Sequence, residues 1–437
     1  MTVVALDDTD SREAGMCTTY AAALLAERLR EHGAAVERCC LARLNPAVEY
    51  KTRGNAALAV HTDAPVDAAF AAARDLVDET AVVDDPRTNP GVVALGGSPE
   101  AVPKRVAGFS VRAVRDLLSR ERARETLSGV DPVETRHETW DDGRGLVGAL
   151  AAAGAWRAWR AWDESGLRPT YEHIVYRPHE RWGTERDVDE ASVFAAADSA
   201  YPTVWDTVDR GAREAVCVPH TPGPVLYGIR GDDPDACRRV AADIDAEPAE
   251  RTCTFVTNQG TDAHLRDGSL ADARDGRAYR LDGVVSDAPE TRRGGHVFFD
   301  LRGPDGDVAD ATLACAAFEP TKRFRDRVRA LRVSDRITAC GEVSDGTLKL
   351  EKFAVRNLAR TERVTPDCPD CGRSMSSAGR GQGYRCRDCG TSAPGKVEQR
   401  VERDLERGWY EVPPCARRHV AKPLVRGGFD APTHPEK

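Results

Sequence analysis

The chain has 437 residues, with 62 Lys and Arg against 71 Asp and Glu, a net charge of -9 at neutral pH. That length exceeds one hydrophobic core and predicts three or four domains. The lack of any run of about 18 apolar residues excludes a helical membrane span, and thirteen scattered cysteines without a signal-peptide layout argue against a secreted disulfide scaffold and for a reducing cytoplasm.

Net charge discriminates poorly here. Only 8 of the 62 basic residues are Lys, the acidic residues are rich in Asp, and Ala replaces bulkier apolar residues. This is the composition of a salt-adapted organism with a GC-rich genome, a haloarchaeon, whose proteins are acidic whatever they bind. At high salt, specific Arg and stacking contacts would carry nucleic-acid recognition, because long-range attraction is screened.

The first element is a strand at 3–6 that runs into Asp7-Asp8-Thr9-Asp10-Ser11. Three carboxylates within four residues repel one another, so a fold that gathers them calls for a cation, usually Mg²⁺. Gly15-Met16-Cys17-Thr18-Thr19-Tyr20 then opens a helix over 17–32. A glycine turn, two hydroxyls and a helix N-terminus suit a phosphate, so the pair of motifs points to nucleotide-triphosphate chemistry. The plain alternative is a capped helix after a solvated acidic turn. Strands follow near 37–44 and 56–61, a helix near 65–78, a strand near 91–96 and a helix at about 110–127. Between them, Lys51 and Arg53 sit in a compact KTRGN turn, with Lys51 a candidate point-charge contact to phosphate. Asn45 and Asn55 are candidate donors to phosphate or base, or turn formers. Gly143, Gly145 and Gly148 resemble a loop whose amides cradle phosphates ahead of a helix. These elements make residues 1–165 an α/β unit.

Residues 166–270 read β-α-β-β-α-β, the order of a ferredoxin-like domain: strands near 172–176, 203–209, 224–230 and 252–257, helices at 188–200 and 236–245. Residues 275–360 form five short strands with one helix near 322–331, an OB-fold pattern associated with single-stranded nucleic acid. Within 364–395, Cys368-x-x-Cys371 and Cys386-x-x-Cys389 have the spacing of a four-thiolate Zn²⁺ ribbon, with Gly372 and Gly390 at the knuckle turns. Residues 396–437 form a basic extension in which Trp409-Tyr410 and Arg417-Arg418-His419-x-x-Lys422 suit phosphate and base contacts, or a solvated tail.

Several runs together resemble the archaeal agmatidine synthase family, the 2-agmatinylcytidine synthetases of the minor isoleucine tRNA. They are DDTDS at 7–11, GMCTTY at 15–20, RLNP at 43–46, KTRGN at 51–55, TNPG at 88–91 and GRGLVGAL at 143–150. PVLYGIRG at 224–231 and TNQGTDxH at 257–264 complete the set. The resemblance implies a multidomain α+β protein with a kinase-like domain, a ferredoxin-like domain, an OB-fold and a zinc ribbon. It implies a ligase that uses ATP, Mg²⁺ and agmatine to modify the wobble cytidine of the CAU anticodon, forming AMP and diphosphate, with no obligate protein partner. Phosphorylation would turn the base carbonyl oxygen into a leaving group that agmatine displaces. The resemblance also implies that Thr18 is itself phosphorylated. Asp7, Asp8, Asp10 and Thr18 are thus the catalytic candidates. Gly15, Thr19, Lys51, Arg53, Asn55, Gly143 and Gly145 are the nucleotide-binding candidates, while Asp262, near His264, either serves the amine or pins a turn. Two alternatives stay open on the residues alone: an OB-fold and zinc-ribbon nucleic-acid-binding protein, or a metal-dependent nuclease.

Overall fold

The computed structural model describes residues 1–11, 15–49, 51, 54–163, 167–304 and 311–437. The first half runs β1 (Thr2–Asp7), α1 (Thr18–Glu31), β2 (Val36–Arg43), β3 (Ala56–Thr62), α2 (Val66–Thr80) and β4 (Gly91–Gly96). It continues through α3 (Lys104–Arg115), α4 (Arg120–Leu127), β5 (Thr135–Thr139) and α5 (Gly145–Asp163). Next come β6 (Thr170–Tyr176), α6 (Glu190–Ala200), β7 (Val204–Trp205), β8 (Val225–Gly231), α7 (Pro234–Ala242) and β9 (Arg251–Thr257).

All nine strands lie in one sheet, ordered β5-β4-β1-β3-β2-β9-β6-β8-β7. The seam between the two halves is a parallel pairing of β2 with β9, Cys39 opposite Phe255 and Leu41 opposite Thr257. Buried on both faces, β1, β3 and β4 are near-continuous apolar runs. One face packs on α1 and α2, the other on α3, α4 and α5, while α6 and α7 cover β6 and β8. The Ala-rich sequence of α5 has a physical use here. Small side chains bring the helix close to the sheet, and Gly154 approaches the Val106 carbonyl so tightly that a Cβ would lie 2.5 Å from its oxygen.

Two expectations need correction. The helix read at 110–127 is two helices: α3 ends at Arg115, Leu117 is exposed in the link, and Ser119 caps α4 by accepting the Arg122 amide. The edge strand β5 has the polar sequence TRHET, whose hydropathy carries no strand signal, yet it pairs in full with β4.

Downstream, β10 (Leu265–Gly268) and the short β12 (Glu290–Thr291) flank a closed β-barrel of β11 (Arg277–Val285), β13 (Val297–Arg302), β14 (Thr312–Ala317), β15 (Arg336–Ser344) and β16 (Thr347–Asn357). Helix α8 (Phe324–Arg329) lies between β14 and β15. Closure runs β11-β13-β14-β16-β15-β11, with β14 and β16 parallel. Leu281, Phe299, Phe324, Ile337 and Phe353 fill its core.

A two-stranded stem, β17 (Thr361–Val364) with β21 (Val397–Arg400), carries the cysteine segment and its small strands β18 (Ser376–Ser377), β19 (Tyr384–Arg385) and β20 (Ser392–Ala393). The chain then returns as β22 (Gly408–Glu411), which extends the barrel sheet on β16 and pairs with β23 (Thr433–His434). The residues read as a basic, aromatic tail are therefore interior. Trp409 and Tyr410 are buried, and Arg417 lies between Asp206 and Glu411. Arg418 joins Glu342 and Glu351 at 2.8 and 2.5 Å. Their charges are matched by the protein, so they hold the extension against both barrel and sheet rather than meeting nucleic acid. No helix among the described residues is long and apolar enough to cross a membrane.

Candidate active site

Strands β1, β2 and β8 end, and β6 begins, at one edge of the nine-stranded sheet. There a cleft of about 730 Å³ is lined by side chains from both halves. At one pole stands the acidic loop after β1. Asp7 closes the strand, Asp8 adopts a left-handed conformation (φ 60°), and Asp7, Asp8 and Asp10 all line the cleft. Thr88 Oγ1 donates to the Asp10 carbonyl at 2.6 Å, and the Asn89 amide donates to Asp8 Oδ2 at 3.1 Å. Asn89 also accepts the amides of Asp142 and Gly145, so one buried side chain and its backbone tie the acidic loop to the start of α5.

Burial, and then the neighbouring Asp8 and Asp10 charges, push Asp7 well above the usual carboxylate range. Burial and Asp10 raise Asp8 to about 7, with Arg144 opposing from 3.9 Å. These are under-compensated carboxylates. Their oxygens are not drawn to a single point: among the described residues only the four cysteines bring ligand atoms together at metal spacing. The arrangement fits a cation that takes one or two carboxylates and completes its shell with phosphate oxygens and water, the habit of Mg²⁺.

Thr18 and Thr19 form the first turn of α1 at the same cleft. Thr18 receives a hydrogen bond from Thr9 at 3.3 Å, and Thr19 lies 3.1 Å from the Cys17 thiol. First-turn amides have no intrahelical acceptor and carry the positive end of the helix dipole. Gly15 (φ 83°) supplies the turn before them, packed against Gly223.

The glycine run works differently from the expected phosphate cradle. The Gly145, Leu146 and Val147 amides are bonded to Asn89, Gly143 and Arg144 carbonyls. A Cβ on Gly145 would meet the Gly91 amide at 2.5 Å, and one on Gly148 would meet Asp7 Oδ2 at 1.8 Å. These glycines let α5 approach β4 and the catalytic loop. Lys51 donates to the Pro46 and Val48 carbonyls and Asn55 to the Asn45 carbonyl, shaping a turn that borders the cleft. Arg53 lies outside the described residues. Asp262 is not in the cleft. Both its oxygens accept from the buried Lys352 ammonium, at 2.8 and 2.7 Å, and His264 is buried against the Leu44 carbonyl, so the pair pins the barrel to the sheet.

At the opposite pole is a group not anticipated from sequence. Glu172 on β6 is gripped by Arg43 of β2 and Arg230 of β8, each at 3.1 Å. Burial alone would raise the Glu172 pKa, but Arg230 and Arg43 hold it below the usual value. With one carboxylate between two guanidiniums, this pole is net cationic. Counting strand steps of about 4.8 Å, it stands on the order of 17 Å from the acidic pole.

The ribbon cysteines converge so that their four sulfurs lie within 4.8 Å of one another. Tetrahedral zinc with bonds of about 2.3 Å requires sulfur separations of about 3.8 Å, so the set fits Zn²⁺. The Gly372 and Gly390 amides return to the Cys368 and Cys386 carbonyls at 2.8 and 3.1 Å, and both glycines have φ near +70° (71° and 74°).

Family models for the TiaS TCKD domain, the TiaS FLD domain and the TiaS C-terminal zinc ribbon domain match residues 3–138, 143–264 and 365–405. TiaS of Haloquadratum walsbyi, the 2-agmatinylcytidine synthetase of the minor isoleucine tRNA, is 52% identical over 100% of both chains. The chain belongs to the TiaS family. The Methanosarcina mazei TiaS is 47% identical over 97% of each chain. The crystal structure of a TiaS complex with the minor isoleucine tRNA and ATP superimposes with a TM-score of 0.86 at 40% identity, covering 100% of this chain and 99% of that one. That of a TiaS complex with the same tRNA, AMPCPP and agmatine gives 0.84 at 37% identity with the same coverage. A full-length TiaS match leaves the nuclease and pure binding alternatives without support.

Proposed function

We propose that the chain joins agmatine to the wobble cytidine of the minor isoleucine tRNA at the expense of ATP, with the two-pole cleft as the site of reaction. The observation that carries this is the full-length match to TiaS proteins, some crystallised with that tRNA, ATP or agmatine, around a cleft built for phosphate and cation. The first unit is read as kinase-like. The order of Thr170–Thr257 supports a ferredoxin-like unit, and the five-strand closure with α8 before its fourth strand supports an OB-fold.

The chemistry explains why an amine transferase has an acidic phosphate site. The cytosine carbonyl oxygen is a poor leaving group; once phosphorylated, it departs as phosphate while the agmatine amine forms the new C–N bond. Bound Mg²⁺ would neutralise the triphosphate and align the phosphorus for in-line attack. Asp7 and Asp8 are the residues that would hold the ion, Asp10 supports their loop, and the Thr18–Thr19 turn would receive phosphate oxygens. Thr18, with its hydroxyl in the cleft, is the residue positioned to accept a phosphoryl group. The Arg43–Glu172–Arg230 pole is suited to an RNA phosphate rather than to agmatine, which is itself cationic. The four cysteines would hold a structural zinc that folds the ribbon.

The test is labelled agmatine incorporation into transcripts of the minor isoleucine tRNA with cytidine or uridine at the wobble position. Transfer should require ATP and cytidine, and Asp7→Asn should abolish it while leaving the tRNA Kd within about twofold. Transfer without ATP, or equal transfer to uridine, would overturn the reading.

A further inference from the structure

The outer face of the barrel carries aromatic side chains that its fold does not need. Along β13, Val297, Phe299 and Leu301 point into the core, so Phe298 points out; along β14, Leu313, Cys315 and Ala317 point in, so Ala314 and Ala316 face out. The register places Phe298 beside Ala316 and Ala316 beside Lys349, a row of aromatic, small and cationic side chains across three adjacent strands. Phe318 follows the end of β14, its ring edge-on to Phe298 at 5.9 Å, and His296 lies 5.3 Å from Phe318. All three rings are half-buried, and neither phenylalanine packs in any apolar core of the described residues.

Cations border this patch. The Arg292 guanidinium lies 4.4 Å from the centre of the Phe298 ring, and the Lys349 ammonium 6.0 Å from that of Phe318. Glu290 and Glu319 are engaged by Arg292 and Arg325, at 3.3 and 3.4 Å, which mutes the two nearest acidic groups, and the exposed Arg293 and Lys322 add positive charge nearby. His296 accepts the Glu319 amide on Nδ1 at 2.9 Å, which fixes Nε2 as the protonated nitrogen and a donor. In a chain of net charge -9, a cation-rimmed aromatic face is a local departure. None of these residues lines the active-site cleft.

Rings with open faces beside Lys and Arg match one chemistry: unpaired nucleotides, whose bases stack on the rings while their phosphates meet the cations. Duplex RNA cannot use the rings, because its bases are already stacked. We propose that Phe298, Phe318 and His296 form a stacking platform for unpaired nucleotides of the RNA substrate, with Arg292 and Lys349 contacting the adjoining phosphates. This rests on the reading of tRNA as substrate, and adds to it a second contact outside the reaction cleft. The face made by the second and third barrel strands is also the one from which OB-type barrels bind oligonucleotides.

The experiment uses the full-length, zinc-loaded protein and three probes: a labelled hexauridylate, a 12-base-pair RNA duplex and the whole tRNA. Each base lost from an aromatic platform costs about 1–3 kcal/mol, or roughly 5- to 150-fold in affinity. Phe298→Ala with Phe318→Ala should therefore abolish hexauridylate binding and raise the tRNA Kd at least fivefold, the activity loss falling on KM for tRNA. Phe298→Trp, which keeps a stacking face, should retain parental affinity, and Lys349→Glu should weaken binding without touching a ring. Melting temperature and zinc content report folding; should the double variant unfold, the Trp and Glu variants still decide. Parental affinity of a folded double variant for hexauridylate and tRNA would overturn the proposal, as would a parent that prefers the duplex. Failure of agmatine transfer by the parent would instead strike the functional reading, because that assay does not depend on the platform variants.

Discussion

Gly148 is the position where stability and activity should part most cleanly. It lies within α5, where Gly costs about 1 kcal/mol relative to Ala, so Gly148→Ala would ordinarily stabilise the helix. Here the added Cβ would fall 1.8 Å from Asp7 Oδ2, 2.5 Å from Asp7 Cγ and 3.0 Å from Asp7 Cβ. Restoring ordinary contact of about 3.5 Å requires the carboxylate oxygen to retreat on the order of 1.5–2 Å. Overpacking of this kind costs about 1–3 kcal/mol, which the helix gain partly offsets, leaving a net loss of no more than about 2 kcal/mol. Catalysis is far less tolerant, since about 1 Å of misplacement can cost roughly 100-fold. We expect Gly148→Ala to melt within a few degrees of the parent while agmatine transfer falls at least about 100-fold. Differential scanning fluorimetry and single-turnover transfer to the minor isoleucine tRNA, run on the same preparation, make the comparison. A folded variant that transfers agmatine within threefold of the parent would refute the claim that this glycine positions Asp7.

Further outcomes follow from other parts of the molecule. Folded Asp8 titrates at about 7, above its unfolded value near 3.9, so its contribution to stability is fully present below the unfolded value and is lost as pH rises through 7. Added Mg²⁺ should consequently raise the melting temperature more at pH 8 than at pH 5.5, and equal shifts at the two pH values would contradict a cation at this loop. Lys352→Met strands Asp262 in a buried environment and should cost roughly 3–5 kcal/mol by urea titration, much of it recovered in the Lys352→Met, Asp262→Leu double variant; strictly additive losses would show that the pair does not act as a unit. The ribbon's own apolar cluster amounts to little more than Met375 with Tyr384 and Ala393 around two of the cysteines. Cys386→Ser should therefore abolish stoichiometric zinc and hydrogen-exchange protection across 366–392 together, and protection that survives zinc loss would count against a metal-held fold.

Features set by neighbouring residues are legible in the chain. The acidic loop and the GMCTTY helix start are contiguous, and two CxxC knuckles name a tetrahedral site by spacing alone. What escapes is set by strand neighbours far apart in sequence. Glu172 is one polar residue in an apolar strand, and nothing local reveals that β2 and β8 will each deliver an arginine to it. The Trp409–Lys422 segment misleads for the same reason: its composition suits an RNA-binding tail, while its partners Asp206, Glu342 and Glu351 lie on other elements. Glycines at 143–148 carry a true signal of close approach, but to Asp7 and β4 rather than to phosphate.

The seam between β2 and β9 has a consequence for synthesis on the ribosome. Arg43 and Asn258, which exchange two hydrogen bonds at its end, are 215 residues apart. At about 5–20 residues per second, β2 waits on the order of 10–40 s before its partner strand emerges. During that interval the nascent first half presents an unpaired, largely apolar strand edge, a template for pairing with other chains. The Arg and Glu residues at the start of β2 act as charged guards along part of that edge, and the early translation product, rather than the finished enzyme, is the species most exposed to aggregation.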